Sequence, residues 1–357
     1  MSTAPAPPRT NGSASSPADR IDRLFAAQRS HAPSVRATDV AQRSAKIRRL
    51  RDAVYDRRDA IRQAMHEDFR RPAPEVDLTE VKSVADEATF ALDHLEDWMR
   101  EEAVPTPRLL LGTRSEIRYQ PKGVVLIISP WNYPFNLTLG PLVAALAAGN
   151  CVMIKPSEYT PHSSAVMREM IDDLYDDREV ALVEGDASVA QTLLDQPFDH
   201  IYFTGSPEVG SLVMQAAAKH HASVTLELGG KSPTIVDETA DVDDAASKIA
   251  WGKFTNCGQT CIAPDFVLAH DRVVDELVDG LRAAIDRAYG DTPEARRRSP
   301  DYARIVNDKH FQRVHRLLST AIDDGATTAA GGVVDAAERY IAPTVLTDVP
   351  PDTPLMQ

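Results

Sequence analysis

Val124-Val125-Leu126-Ile127-Ile128 is the stretch on which the reading of this chain turns. An unbroken apolar run of this length predicts a strand buried on both faces, as parallel sheets require when helices cover them on either side. Ser129-Pro130-Trp131-Asn132-Tyr133-Pro134 follows at once, and its two prolines fix the backbone just beyond the strand. Cys151–Ile154, Val180–Val183 and Ile201–Phe203 are further short β-rich runs, and helix-like stretches over Leu139–Ala148, Ser163–Leu174 and Val209–Lys219 separate or follow them. Strand–helix alternation at this spacing predicts an α/β fold built on a parallel, doubly wound sheet. Ligands of such sheets gather at the carboxyl ends of the strands.

Outward from this centre the pattern changes. Ile47, Leu50, Val54, Ile61 and Met65 recur every three or four residues and predict one amphipathic helix; Val81, Val84, Ala88, Leu92, Leu95 and Met99 predict a second. Residues 1–17, MSTAPAPPRTNGSASSP, are too poor in apolar groups to offset the entropy of ordering and predict a disordered lead. They have no hydrophobic core of a secretory signal. Residues 101–122, with Pro105, Pro107 and Pro121, interrupt the helices, and an exposed strand is expected around Glu116–Tyr119. A second α/β region opens near Leu228-Gly229-Gly230, with strands expected over Thr234–Val236 and Phe266–Ala269 and helices over Asp243–Trp251 and from Val273 to Tyr289.

Composition excludes several function classes. Across 357 residues, 39 Lys and Arg stand against 53 Asp and Glu, for a net charge of -14. Such a surface repels phosphate backbones and anionic membranes, so neither nucleic acid nor membrane is expected as a partner. No apolar stretch approaches the roughly 20 residues of a membrane span. Three cysteines are too few for a disulfide framework, and a reducing, cytoplasmic setting is expected.

Five motifs could carry chemistry. In Phe203-Thr204-Gly205-Ser206-Pro207-Glu208-Val209-Gly210 a strand turns into a helix whose amino end offers unpaired N–H groups to an anion. Gly205 lets the backbone come close and Gly210 lets the helix pack tightly on the sheet; an ordinary strand–turn–helix is the alternative. Lys155 and Glu158, in Lys155-Pro156-Ser157-Glu158, end another strand and suit sugar hydroxyls as donor and acceptor, or form a plain surface pair. Asn132, held between prolines, is a neutral donor suited to an oxyanion, or a structural turn residue. Glu227, in an apolar strand, is expected to be desolvated and to act as a base. Cys261, in the polar turn Gly258-Gln259-Thr260-Cys261, suits an exposed nucleophile. Cys257 lies four residues before it, but no partner pair follows, so no metal site is expected.

Taken in order, Pro130-Trp131-Asn132, Lys155-Pro156-Ser157-Glu158, Phe203-Thr204-Gly205-Ser206, Glu227-Leu228-Gly229-Gly230-Lys231 and Gln259-Thr260-Cys261 closely resemble the aldehyde dehydrogenase superfamily, from about residue 20 onward. Ser299-Pro300-Asp301-Tyr302 with Asn307 and His310-Phe311 resembles its class-3 branch, and Tyr119-Gln120-Pro121 with Pro197-Phe198-Asp199-His200 resembles bacterial coniferyl aldehyde dehydrogenases. The resemblance implies a Rossmann-type nucleotide-binding domain over 18–100 and 123–228, an oligomerisation arm within 101–122, and a catalytic domain from 229 to 357. It implies that Cys261 is the nucleophile, Asn132 an oxyanion donor and Glu227 the base for thioester hydrolysis. Lys155, Glu158, Ser206 and Trp131 are implied contacts of the cofactor, beside Gly205 and Gly210. NAD is expected, since Glu158 should repel a 2′-phosphate, with NADP possible. An aromatic, coniferyl-like aldehyde oxidised to its carboxylic acid is the implied substrate, and a homodimer the implied assembly of the full-length form. Family members continue past Leu355-Met356-Gln357, so the catalytic domain is expected to be incomplete here. The alternative reading is a truncated fragment that holds nucleotide with little or no turnover.

Overall fold

The computed structural model describes residues 16–357. The lead expected over 1–17 lies outside the described residues except for Ser16 and Pro17, and these two begin a helix. Helix α1 spans Pro17–Arg36. The Ser16 hydroxyl accepts the Asp19 N–H at 3.1 Å and the Asp19 carboxylate accepts the Ser16 N–H at 3.0 Å, a reciprocal cap that fixes where the helix starts. The helix expected over Ile47–Met65 is two helices, α2 (Val40–Asp56) and α3 (Arg58–Phe69). Arg57 breaks them at φ -98, ψ 12, outside the helical well. A short α4 (Ala73–Val76) then runs through a π-turn over Asp77–Val81 into α5 (Lys82–Met99). Strands β1 (Glu102–Val104) and β2 (Ser115–Ile117) pair antiparallel as a small hairpin.

The central sheet follows. Strands β3 (Val124–Ile128), β4 (Cys151–Lys155) and β5 (Val180–Leu182) alternate with α6 (Asn136–Ala148) and α7 (Pro161–Leu174). After α8 (Ala187–Leu194) the chain crosses back to lay β6 (His200–Gly205) on the other side of β3, then α9 (Pro207–Ala218) and β7 (Ser223–Leu228). The order is β5-β4-β3-β6-β7, with every neighbouring pair parallel. The direction of winding reverses between β3 and β6, so the switch-point crevice opens beside Ile128 and Phe203, which pair in register.

The apolar run of β3 divides between two cores. Val125 and Ile127 join Val152 and Ile154 beneath α2, α3, α5, α6 and α7. Val124, Leu126 and Ile128 join Met153, Ile201 and Phe203 beneath α1, α8 and α9. Side chains alternate along a strand, so both faces must be apolar when both are covered.

Beyond β7 lies a second region. Strands β8 (Ser232–Val236) and β9 (Pro264–Ala269) pair in parallel, with α10 (Val242–Phe254) and α11 (Val274–Tyr289) packed together over them. Val236, Ile249, Leu277, Ile285, Tyr302 and Tyr340 belong to this third core. Helices α12 (Pro293–Arg298) and α13 (Asp308–Asp323) follow. Among the described residues, no helix is long and apolar enough to cross a membrane.

Candidate active site

Three loops meet at the carboxyl rim of the sheet. The first leaves β3 and carries Trp131 and Asn132. The second is the turn after α10, where a 3₁₀ segment, Thr255–Gly258, leads through Gln259 and Thr260 to Cys261. Asn256 and Cys257 both adopt left-handed backbone, each at φ 55, so the chain reverses sharply before the thiol. The third leaves β7 through Leu228-Gly229-Gly230, and a Cβ built on Gly230 would lie 3.8 Å from the Cys261 carbonyl oxygen.

The first two loops are tied side chain to backbone. Asn132 Nδ2 donates to the Gln259 carbonyl at 2.9 Å, and the Tyr133 hydroxyl lies 2.6 Å from Thr260 Oγ1. Asn256 Nδ2 donates in turn to the Asn132 carbonyl at 2.9 Å. Gln259 is itself held: its Nε2 donates to the Asn256 and Arg304 carbonyls, each at 3.1 Å, and its Oε1 accepts the Val306 N–H at 3.0 Å. An amide NH₂ has two hydrogens, so Asn132 keeps one donor beyond its bond to Gln259.

The thiols differ by environment. Cys261 is exposed. Cys151 is fully buried in β4, and desolvation pushes its thiol up to about 12. Burial likewise pushes the Cys257 thiol up to about 11, with Tyr302 bonded to it. Glu227 corrects an expectation: it is exposed, so the desolvation inferred from its apolar neighbours is absent. It lies on β7, the edge strand, paired in register with Thr204 of β6.

Around the switch point, Ser206 caps α9, its hydroxyl accepting the Val209 N–H at 3.4 Å, with Pro207 first in the helix. A Cβ on Gly205 would fall 2.5 Å from the ring of Phe203, and one on Gly210 would fall 2.9 Å from Leu228 Cδ2. Both positions therefore use the absence of a side chain, as the close approach of helix to sheet demands. Lys155 is buried, and its Nζ donates to Glu158 at 2.9 Å and to the Pro156 carbonyl at 3.0 Å. An ammonium has three donors, so one remains. Trp131 is half-buried, its ring 5.0 Å from that of His310 at the start of α13. Tyr159 closes on the same imidazole from the side, at 6.0 Å. Desolvation lowers the His310 pKa from its ordinary value.

His310 beside Trp131 is a neighbour that sequence reasoning missed; His310-Phe311 marked a branch, not a contact. Arg71, Glu75 and Glu80 also escaped it. Arg71 and Glu80 are buried charges, and buried charges announce themselves only once a fold shows what surrounds them.

The donor set suits a dinucleotide. An uncovered helix amino end with a hydroxyl cap suits a pyrophosphate, and a buried ammonium paired with an exposed carboxylate suits sugar hydroxyls. A doubly wound sheet with these groups on the rim of its switch point defines a nucleotide-dependent enzyme.

Comparison with known proteins supplies the rest. The family model described as "Aldehyde dehydrogenase family" matches residues 9–357. AldX of Bacillus subtilis (strain 168) is 45% identical over 339 residues, covering 95% of this chain and 76% of AldX. The 4,4'-diaponeurosporen-aldehyde dehydrogenase of Staphylococcus aureus (strain NCTC 8325 / PS 47) is 41% identical over 319 residues, covering 89% of this chain and 68% of that one. The solved substrate-bound Staphylococcus aureus AldH superposes with a TM-score of 0.89 at 39% identity, covering 94% of this chain and 72% of that one. The chain belongs to the aldehyde dehydrogenase family, NAD(P)-dependent enzymes that oxidise aldehydes. It spans 76% of the length of AldX and 64% of the length of aldehyde dehydrogenase family 3 member B2 of Mus musculus, to which it is 42% identical.

Proposed function

We propose that the chain carries out the family's oxidation on an aromatic aldehyde of the coniferyl type, with Cys261, Asn132 and Glu227 as its working groups. The convergence of the Asn132 loop and the Cys261 loop, joined at 2.9 Å through Gln259, is the observation that carries the assignment. The thiolate of Cys261 adds to the aldehyde carbon, forming a carbon–sulfur bond while the carbonyl electrons move to oxygen. The remaining Asn132 N–H and the Cys261 backbone N–H receive that oxyanion. A dinucleotide held by Lys155, Glu158, Ser206 and Trp131 would supply the acceptor for the hydride that leaves this carbon. A thioester on Cys261 results, and Glu227, exposed to solvent, takes a proton from the water that hydrolyses it. Carboxylic acid and free thiol are the products.

Lys155, Glu158, Ser206 and Trp131 hold the cofactor in this reading, with Gly205 and Gly210 shaping its approach. Residues 18–100 and 123–228 carry the nucleotide, and 229–357 carry the thiol. The aromatic preference rests on Tyr119-Gln120-Pro121 and Pro197-Phe198-Asp199-His200. Assembly is a homodimer through 101–122, where Leu109 is 98% and Leu111 90% exposed. All three cysteines are free, which fits the cytoplasm.

The test is NADH or NADPH formation from coniferyl aldehyde, benzaldehyde and a short aliphatic aldehyde, beside Cys261→Ala. Aromatic preference lost in the mutant supports the reading. Equal rates for mutant and parent would overturn the nucleophile, and no cofactor reduction with nucleotide bound would leave the fragment reading in its place.

A further inference from the structure

Arg71 is the most conspicuous group that the proposed chemistry does not use. Its side chain is 0% exposed, as is that of Glu80, whose Oε1 lies 2.5 Å from Arg71 Nη1. The same Nη1 donates to the Asn132 carbonyl at 3.2 Å, and Nη2 donates to Thr79 Oγ1 at 2.6 Å. The guanidinium stacks 4.2 Å from the centroid of the Tyr133 ring. Glu80 turns its other oxygen to the Asn136 N–H at 2.7 Å, beyond Asn132 on the same loop. Glu75, one turn before Glu80, accepts the Asn256 N–H at 2.9 Å in the nucleophile turn.

A buried ion pair is poor evidence of a stabilising role, because apolar residues of similar volume often hold a fold as well or better. An apolar pair cannot deliver a directed hydrogen bond to one carbonyl. The Asn132 carbonyl is where two donors converge, Arg71 from the turn between α3 and α4 and Asn256 from the nucleophile turn. Glu75 holds the same Asn256 from the other side. The segment 71–80 thus grips both loops at once.

We propose that Arg71 is a positioning residue, which with Glu80 and Glu75 sets the placement of the Asn132 amide against the Cys261 turn. The proposal rests on the reading of Cys261 and Asn132 above. Arg71 touches no reacting atom; it acts through the Asn132 carbonyl. A guanidinium spans Glu80, Asn132 and Thr79 with two nitrogens in one plane, which a single ammonium cannot reproduce.

The test pairs the double variant Arg71→Met/Glu80→Met, which removes both members of the fully buried pair together, with Arg71→Lys. Two readouts are used: steady-state kinetics, and the rate of Cys261 alkylation by iodoacetamide followed by mass spectrometry. The second needs no turnover, so it reads the loop even if the wild-type chain oxidises no aldehyde. Expected for the double variant are a melting temperature near wild type, an unchanged KM for NAD, a kcat about 100-fold lower, and a changed alkylation rate. Arg71→Lys should fall between the two. Wild-type kcat and alkylation in the double variant overturn the proposal. Should that variant not fold, wild-type values from Arg71→Lys overturn it, and an altered alkylation rate at unchanged melting supports it.

Discussion

The side-chain amide of Asn132 donates to the backbone carbonyl of Gln259, two residues before Cys261, across 2.9 Å. One residue thereby joins the rim of the nucleotide-type sheet to the turn that presents the thiol. The oxyanion role proposed above falls to its second N–H, which an amide has and a hydroxyl lacks.

Asn132→Ala is expected to lower kcat by about 10²–10³-fold, as loss of one oxyanion donor does elsewhere. The KM for NAD should stay the same. Steady-state kinetics in both substrates checks it; a matching rise in the KM for NAD would show that Asn132 serves cofactor binding.

Thiol labelling should separate the cysteines. Native protein treated with a chromogenic disulfide is expected to release one fast equivalent from exposed Cys261, with Cys151 and Cys257 reacting after unfolding. Cys261→Ala should remove the fast phase and lower turnover by about 10³-fold or more. Two fast equivalents in the native protein would contradict the raised thiol of half-buried Cys257.

Gly210→Ala places a methyl 2.9 Å from Leu228 Cδ2. The methyl must push aside the end of a flexible side chain, and this opposes the roughly 1 kcal/mol that Ala gains over Gly inside a helix, so a net loss below about 1 kcal/mol is expected. Urea denaturation measures it; an increase in stability would show that β7 yields freely.

Burial raises the Glu80 carboxyl from 4.5 to about 7, against the opposing pull of Arg71 and the Asn136 and Phe135 N–H groups; Glu75 is the other carboxylate beside Arg71. Below the unfolded value both states hold the proton. Between that value and about 7 the unfolded chain releases it while the folded chain retains it, so stability falls as pH rises through this window. The melting temperature of the parent minus that of Glu80→Gln should therefore decline from acid to neutral pH and level off above. A difference that is flat, or that rises, would disprove the assignment.

Much of this was legible before any fold was known, because period and spacing are local signals. The run at Val124 announced a doubly covered strand, and Cys261 in a polar turn announced an exposed thiol. Helix α1 was missed although Ser16 and Asp19 form a recognisable cap ahead of Ile21, Leu24 and Phe25, directly at the end of the expected polar lead. The Ile47–Met65 periodicity passed over Arg57 because a break that shifts phase only slightly leaves the apolar stripe intact. Glu227 misled for a different reason: its strand looks apolar in sequence, but edge position, a property of sheet order, decides what is covered. Arg71 was out of reach, since its contact at Asn132 lies 61 residues on, and Glu75 meets Asn256 across 181 residues.

The parallel sheet also imposes a schedule on biosynthesis. Asn132, Lys155, Ser206, Glu227 and Cys261 leave the ribosome in that order. The nascent polypeptide thus lays down its receptacle first and receives its reactive sulfur last, so an arrested chain ending before the final loop carries no armed electrophile trap into the cell.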